Sequence, residues 1–175
     1  MAGLGSRRFE CAVVGSRSLG RRLRSRRIAV ELTEITADNV GDVYDLAVGP
    51  GQGEFVASNP WSLAQAYAER DIAWPRAVVA DGTVVGFIML QFDPDDDDGR
   101  PFQLWRLMIA VEHQGKRYGR AAVYLCVEEC RRRNATELFT SWVLGDGGPE
   151  DPYLGLGFEP TGEWDDDEKV ARLVL

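Results

Sequence analysis

The stretch Trp105–Arg133, WRLMIAVEHQGKRYGRAAVYLCVEECRRR, decides how this chain is read. Trp105 to Ala110 is an apolar, strand-forming run, Gln114 to Gly119 is a basic turn bearing glycines, and from Tyr118 to Arg133 the pattern becomes helical. Ala122, Val123, Cys126, Val127 and Cys130 share one face of that helix, which makes the two cysteines small core residues. Glu128/Arg132 and Glu129/Arg133 are i,i+4 pairs on the other face. A strand, a glycine-bearing turn and a helix start in that order suit phosphate. The first turn of a helix offers N–H groups without intrahelical partners and a partial positive charge, and glycine lets the backbone approach an anion. Lys116, Arg117 and Arg120 add full charges to the same place.

Two familiar phosphate loops fail on spacing. The dinucleotide fingerprint needs G-x-G-x-x-G and the P-loop needs Ser or Thr after Gly-Lys; Gly115-Lys116-Arg117 satisfies neither. The stretch resembles instead the acyl-CoA loop of the GCN5-related N-acetyltransferase (GNAT) superfamily, Q/R-x-x-G-x-G/A between a strand and a long helix. The register here is Gln114, Gly115, Lys116, Arg117, Tyr118, Gly119, and the third signature position, normally glycine, is Arg117. A side chain there is expected to change the backbone angle and tilt one N–H off the pyrophosphate, costing on the order of 1 to 3 kcal/mol. Its charge can recover part of that on a phosphate.

A second segment, Tyr153-Leu154-Gly155-Leu156-Gly157-Phe158, resembles the family's Tyr-x-x-x-Gly-Phe motif. A third, Phe55-Val56 with Asn59 and Ser62, resembles a pattern of the bacterial spermine/spermidine (diamine) acetyltransferase-like branch. Together they cover about residues 28 to 175. The resemblance implies acetyl-CoA as cosubstrate. It implies that Gln114 through Arg120 hold the pyrophosphate and that backbone groups at Met108, Ile109 and Ala110 hold the pantetheine arm and polarise the thioester carbonyl. It implies Tyr153 as the general acid beside the sulfur, and a homodimer.

The remaining chain reads as an α+β domain with a mainly antiparallel central sheet flanked by helices. A first strand starts at Ile28, a helix follows over Asn39–Val48 and is broken by Gly49-Pro50-Gly51, and a second helix runs Pro60–Arg70, capped by Asn59. Arg76–Ala80 and Val84–Phe92 flank an Asp81-Gly82 turn as a hairpin. Phe102–Ala110 makes a third antiparallel strand, Glu137–Val143 a further one, and Phe158–Glu163 with Val170–Leu175 a closing pair. The acidic runs Asp95–Asp98 and Asp165–Glu168 read as solvated tips, because metal sites need ligands converging from several places.

Composition sets limits. At 175 residues the chain suits one well-buried domain. Residues 1–27 hold eight of the twenty Lys and Arg against Glu10 alone and read as a disordered basic extension. The rest has twelve basic and twenty-seven acidic residues, so nucleic acid is not an expected partner. No segment reads as a membrane span or signal peptide. With Cys11, Cys126, Cys130 and a single histidine, His113, neither a disulfide framework nor a metal site is expected, which suits the cytoplasm.

Acetyl transfer needs a neutral amine. An ammonium of pKa near ~10.4 costs roughly 4.6 kcal/mol to deprotonate at pH 7, so a base or water chain must take the proton. Relatives in the polyamine branch often carry an acid where this chain has Trp105, which leaves Glu54 as the candidate carboxylate and ordered water as the alternative. Trp61, Trp74 and Trp105 are either core residues or the lining of an aromatic acceptor pocket. Three readings stand: an N-acetyltransferase for a small primary amine such as a polyamine or diamine, one for a peptide or antibiotic amine, and an inactive CoA-binding relative.

Overall fold

The computed structural model describes residues 29–175. The basic segment 1–27 lies outside the described residues. Seven strands, β1 (Val30–Thr33), β2 (Ala73–Ala80), β3 (Thr83–Phe92), β4 (Phe102–Ile109), β5 (Glu137–Val143), β6 (Glu159–Asp165) and β7 (Glu168–Val174), form one sheet in the order β1-β2-β3-β4-β5-β7-β6. All neighbours run antiparallel except β4 and β5. The fold is the mainly antiparallel α+β sheet expected.

Helices cover both faces. α3 (Tyr118–Arg132) buries Ala122, Val123, Cys126, Val127 and Cys130 against Val78, Ile88, Leu90, Leu104 and Leu138. α1 (Val40–Asp45) and α2 (Asn59–Ala68) cover the other face, over Val79, Phe87, Met89 and Met108. α4 (Glu150–Leu154) is a short helix before β6. Its position is fixed by Lys169 at the start of β7, whose Nζ donates to Glu150 Oε1 at 2.6 Å.

Several element ends differ from the sequence reading. α1 stops at Asp45, because Leu46 turns to extended backbone four residues before Pro50. Asn59 does not cap α2; the Ser58 hydroxyl accepts from Trp61 N, and Asn59 is the first helical residue, with its Nδ2 donating to Val43 O at 2.7 Å. Buried Asn59 thus ties α2 to α1. Tyr67 on α2 points outward at 75% exposure. β2 begins three residues earlier than expected, at Ala73, and includes Pro75.

Two irregularities shape the middle of the sheet. Between Met89/Arg106 and Leu90/Leu104 the β3–β4 register slips, leaving Trp105 as an extra residue on β4. Leu104 and Leu107 consequently share the α3 face, while Trp105 packs with the α1–α2 core and Arg106 reaches Gln65 on α2. The second is that β4 and β5 pair only at Gln103/Phe139 and Leu104/Thr140. Beyond those residues the two strands part. Thr140 Oγ1 donates to Leu104 O at 3.1 Å where they separate.

Candidate active site

The parting of β4 and β5 opens a cleft of about 760 Å³. β4 supplies one wall from Trp105 to Ile109, whose backbone groups on the β5 side have no strand partner. Ser141 and Val143 of β5, with Asp151, Pro152 and Tyr153 of α4, supply the other. The first turn of α3 contributes Gly119 and Arg120, and the α1–α2 loop contributes residues 52–57.

α3 starts without a side-chain cap. Its first intrahelical acceptor, Arg117 O, takes Ala121 N at 3.1 Å, so the N–H groups of Tyr118, Gly119 and Arg120 face outward without helical partners. Arg117 is left-handed, at φ 65° and ψ 17°, and Gly115 two residues earlier has φ 73°. Arg117 therefore carries the strain of a side chain in a left-handed residue.

Side chains around the turn are spread out. Lys116 Nζ donates to Glu112 O at 2.9 Å, and the Arg120 guanidinium lies against Tyr124, with Nη2 2.9 Å from its hydroxyl. Gln114 is exposed but bonded: its Nε2 donates to Ile109 O at 2.9 Å and to Gln52 Oε1 at 2.8 Å, which joins the α1–α2 loop to the turn. Met108 and Ile109 line the cleft. Ala110 is fully buried and its N–H donates to Val85 O at 3.0 Å, and the Tyr118 ring packs toward the α3 core, 6.4 Å from His113.

Tyr153 is held by its neighbours. Its ring stacks on Trp142 at 5.4 Å and meets Phe158 edge-on at 5.6 Å. Phe158 is the aromatic of the Gly-Phe pair, so the motif's two ends pack together. Burial pushes the Tyr153 phenol up to about 12, with Thr140 offsetting part of the rise, Glu168 adding to it and Arg106 opposing it. Arg106 lines the cleft; its Nη1 donates to Trp105 O at 2.7 Å and its Nη2 to Gln65 Oε1 at 3.1 Å. Desolvation lowers its pKa from the ordinary arginine value.

The two carboxylates of interest sit differently. Glu54 lines the rim of the cleft but is exposed. Glu168, grouped by sequence with the solvated run Asp165–Glu168, is half-buried in the cleft and accepts from the Ser141 hydroxyl. No sequence signal singled it out, because its neighbours are three aspartates in a turn; only the pairing of β7 with β5 brings it beside Ser141. The Asp95–Asp98 run also does more than solvate a tip. Asp96 Oδ2 accepts from Arg100 N, and buried Arg100 faces Asp98, Glu163 and Asp165. Trp61 is 63% exposed and Trp74 packs against Phe92, so of the three tryptophans considered only Trp105 reaches the cleft.

The family model described as acetyltransferase (GNAT) family matches residues 40–147. The chain belongs to the GNAT acetyltransferase family. A search of curated protein sequences finds no match. GNAT folds of known structure superpose on most of the chain. An acetyltransferase from Thermus thermophilus does so with a TM-score of 0.66 at 13% identity, over 83% of this chain and 97% of that one. The GNAT domain of S. lividans PAT gives 0.67 at 12% identity, over 85% and 90%. A GNAT family acetyltransferase from Elizabethkingia anophelis, solved with acetyl-CoA bound, gives 0.58 at 13% identity, over 85% and 98%. At these identities the GNAT neighbours speak for the fold. Among the described residues no helix is long and apolar enough to cross a membrane, and no three His, Cys, Asp or Glu side chains converge as a metal site would need.

Proposed function

We propose that this GNAT domain is an acetyl-CoA-dependent N-acetyltransferase acting on a primary amine of a small molecule, the diamines and polyamines of the resemblance being first candidates. The observation that carries the reading is the cleft itself. An unpaired β4 edge, an uncapped helix start and a buried tyrosine all border one opening. These groups fit acetyl-CoA: the N–H groups of residues 118–120 suit its pyrophosphate, and the free edge from Arg106 to Ile109 can bond the pantetheine amides in the place β5 vacates.

Bound acetyl-CoA supplies an activated acetyl thioester. Tyr153, with its pKa raised to about 12, stays protonated at neutral pH. Handing that proton to a thiolate of pKa near ~8.5 is uphill by about 5 kcal/mol, so Tyr153 acts as a hydrogen-bond donor that stabilises the departing sulfur rather than as a proton source at equilibrium. Glu168, the half-buried carboxylate of the cleft, binds the incoming ammonium in this reading and passes its proton to solvent. Glu54 sits at the rim, where it can attract a cation before it enters.

Calorimetric titration with acetyl-CoA, followed by initial rates on an amine panel, tests the reading. Micromolar binding is expected. Tyr153→Phe keeps the ring stack and is expected to bind acetyl-CoA as the native protein does while kcat falls about 100-fold. Absence of binding would remove the acetyltransferase reading, and binding without turnover on any amine would mark an inactive relative.

A further inference from the structure

Two opposite charges line the cleft and act on each other at a distance, and neither has an ion-pair partner within 4.0 Å among the described residues. Three described arginines are not exposed: Arg76, Arg100 and Arg106. Arg76 faces Glu34 and Arg100 faces three carboxylates, but Arg106 has no carboxylate within 4.0 Å among the described residues. Its Nε is buried and unpartnered, and its bonds to Trp105 O and Gln65 fix the guanidinium without neutralising it. The β4 bulge at Trp105 aims this side chain at the α2 face. Regular alternation would have turned it toward the α3 core. Glu168 mirrors it. Half-buried, it has only the Ser141 hydroxyl as a partner and no cation within 4.0 Å among the described residues. Arg106, Glu168 and Tyr153 line the same cleft, and both charges act on the Tyr153 phenol, in opposite directions because their signs are opposite.

A half-buried charge without its partner is costly, and a ligand of the right polarity removes that cost. One acceptor can complete both charges at once. We propose that the acceptor is a small amino acid, a molecule with ammonium and carboxylate together, its carboxylate on the Arg106 fork and its amine beside Glu168. This rests on the acetyltransferase reading above and narrows its acceptor. In the step, the amine loses a proton through Glu168 to solvent and its nitrogen forms the bond to the acetyl carbon. The carbon–sulfur bond then breaks, and CoA leaves as the thiol, taking the second amine proton.

Matched acceptors test the proposal: L-lysine against 1,5-diaminopentane, and β-alanine against its amide, each pair differing only at the carboxylate. Saturation-transfer NMR with CoA present reads binding and initial rates with acetyl-CoA read turnover. The carboxylate-bearing member of at least one pair is expected to be favoured about 10- to 100-fold in kcat/KM and in binding. Arg106→Gln is expected to abolish that preference. Arg106→Lys, which keeps the charge but loses the fork, should retain part of it and carries the test if the Gln variant does not fold. Glu168→Gln should weaken both members of a pair alike. Equal use of both members, preference for the diamine, or a preference that survives Arg106→Gln overturns the proposal. Failure of acetyl-CoA to bind overturns the acetyltransferase reading instead, and amino-acid binding by NMR without CoA still reads the Arg106–Glu168 pair.

Discussion

Arg117 is where one residue's chemistry and its backbone conflict most openly. A non-glycine residue in the left-handed region costs about 1 to 2 kcal/mol, and Arg117 sits there at φ 65° at the head of α3. The fold carries the strain. Arg117→Gly is therefore expected to stabilise the protein by about 1 kcal/mol, a rise in Tm of about 2–4 °C by calorimetry. The same argument limits its effect on cosubstrate: glycine can keep the left-handed backbone that Arg117 already has, so the acetyl-CoA Kd should change by no more than about threefold, the lost charge offsetting any gain. A tenfold tightening would show that the backbone was not already in the glycine conformation. The departure at Arg117 was legible in the sequence, but its consequence was not, because spacing says which residue replaces glycine and nothing about whether the chain yields or strains. Glu168 and Ser141 illustrate the opposite case. Neither stands out locally, and they meet only because β7 returns beside β5.

At the scale of elements, α3 was readable from its stripe, and the stripe has a consequence for pH. Cys126 and Cys130 are fully buried on it, burial being the largest cause that pushes Cys126 well up and Cys130 to about 12 from 9.0. A thiol raised in the folded state favours folding fully below its unfolded pKa, and that contribution disappears as pH rises toward the folded value. Between about pH 9 and 12 the unfolded chain releases protons the folded one keeps, so stability must fall with pH, by an amount on the order of 4 kcal/mol from Cys130 alone. Tyr153 adds to the same decline above about pH 10. Urea midpoints at pH 8 and pH 11 are expected to drop steeply in the native protein and less in Cys130→Ala, even though the variant starts lower by about 1 to 2 kcal/mol from the space it leaves. Equal slopes would show that the thiol is not protected from ionising. The β4 bulge, by contrast, was not readable. Trp105-Arg106-Leu107 alternates acceptably in either register, and only the pairing with β3, where Met89 meets Arg106 and Leu90 meets Leu104, settles which side chains face which helix.

The whole molecule works as two sheet halves joined at the short β4–β5 pairing. The order of strands and helices was visible in sequence because turns and periodicities mark each element; the opening between the halves was not, since it arises from pairs that fail to form. Across the opening, the two sides also meet through Phe55 of the α1–α2 loop, whose ring packs on Gly145 and Gly148 of the β5–α4 loop. A Cβ at Gly145 would sit 2.8 and 2.9 Å from two ring carbons of Phe55, and at Gly148 3.2 Å from one. Those glycines make room for the aromatic to close the cleft. Because the clash at Gly145 falls on the far end of a single side chain, Phe55 can swing away at little energetic cost, and the fold should tolerate Gly145→Ala with a stability loss under about 1 kcal/mol. The cleft would then stay open on the side of the loop that carries Glu54. Acceptor KM is accordingly expected to rise about five- to tenfold while acetyl-CoA affinity, set at the far turn of α3, stays unchanged. Phe55→Ala should reproduce the KM effect, and adding it to Gly145→Ala should cost little more, since both remove one contact. If the two changes instead add fully, the loops act separately and the closure has no role in holding the acceptor.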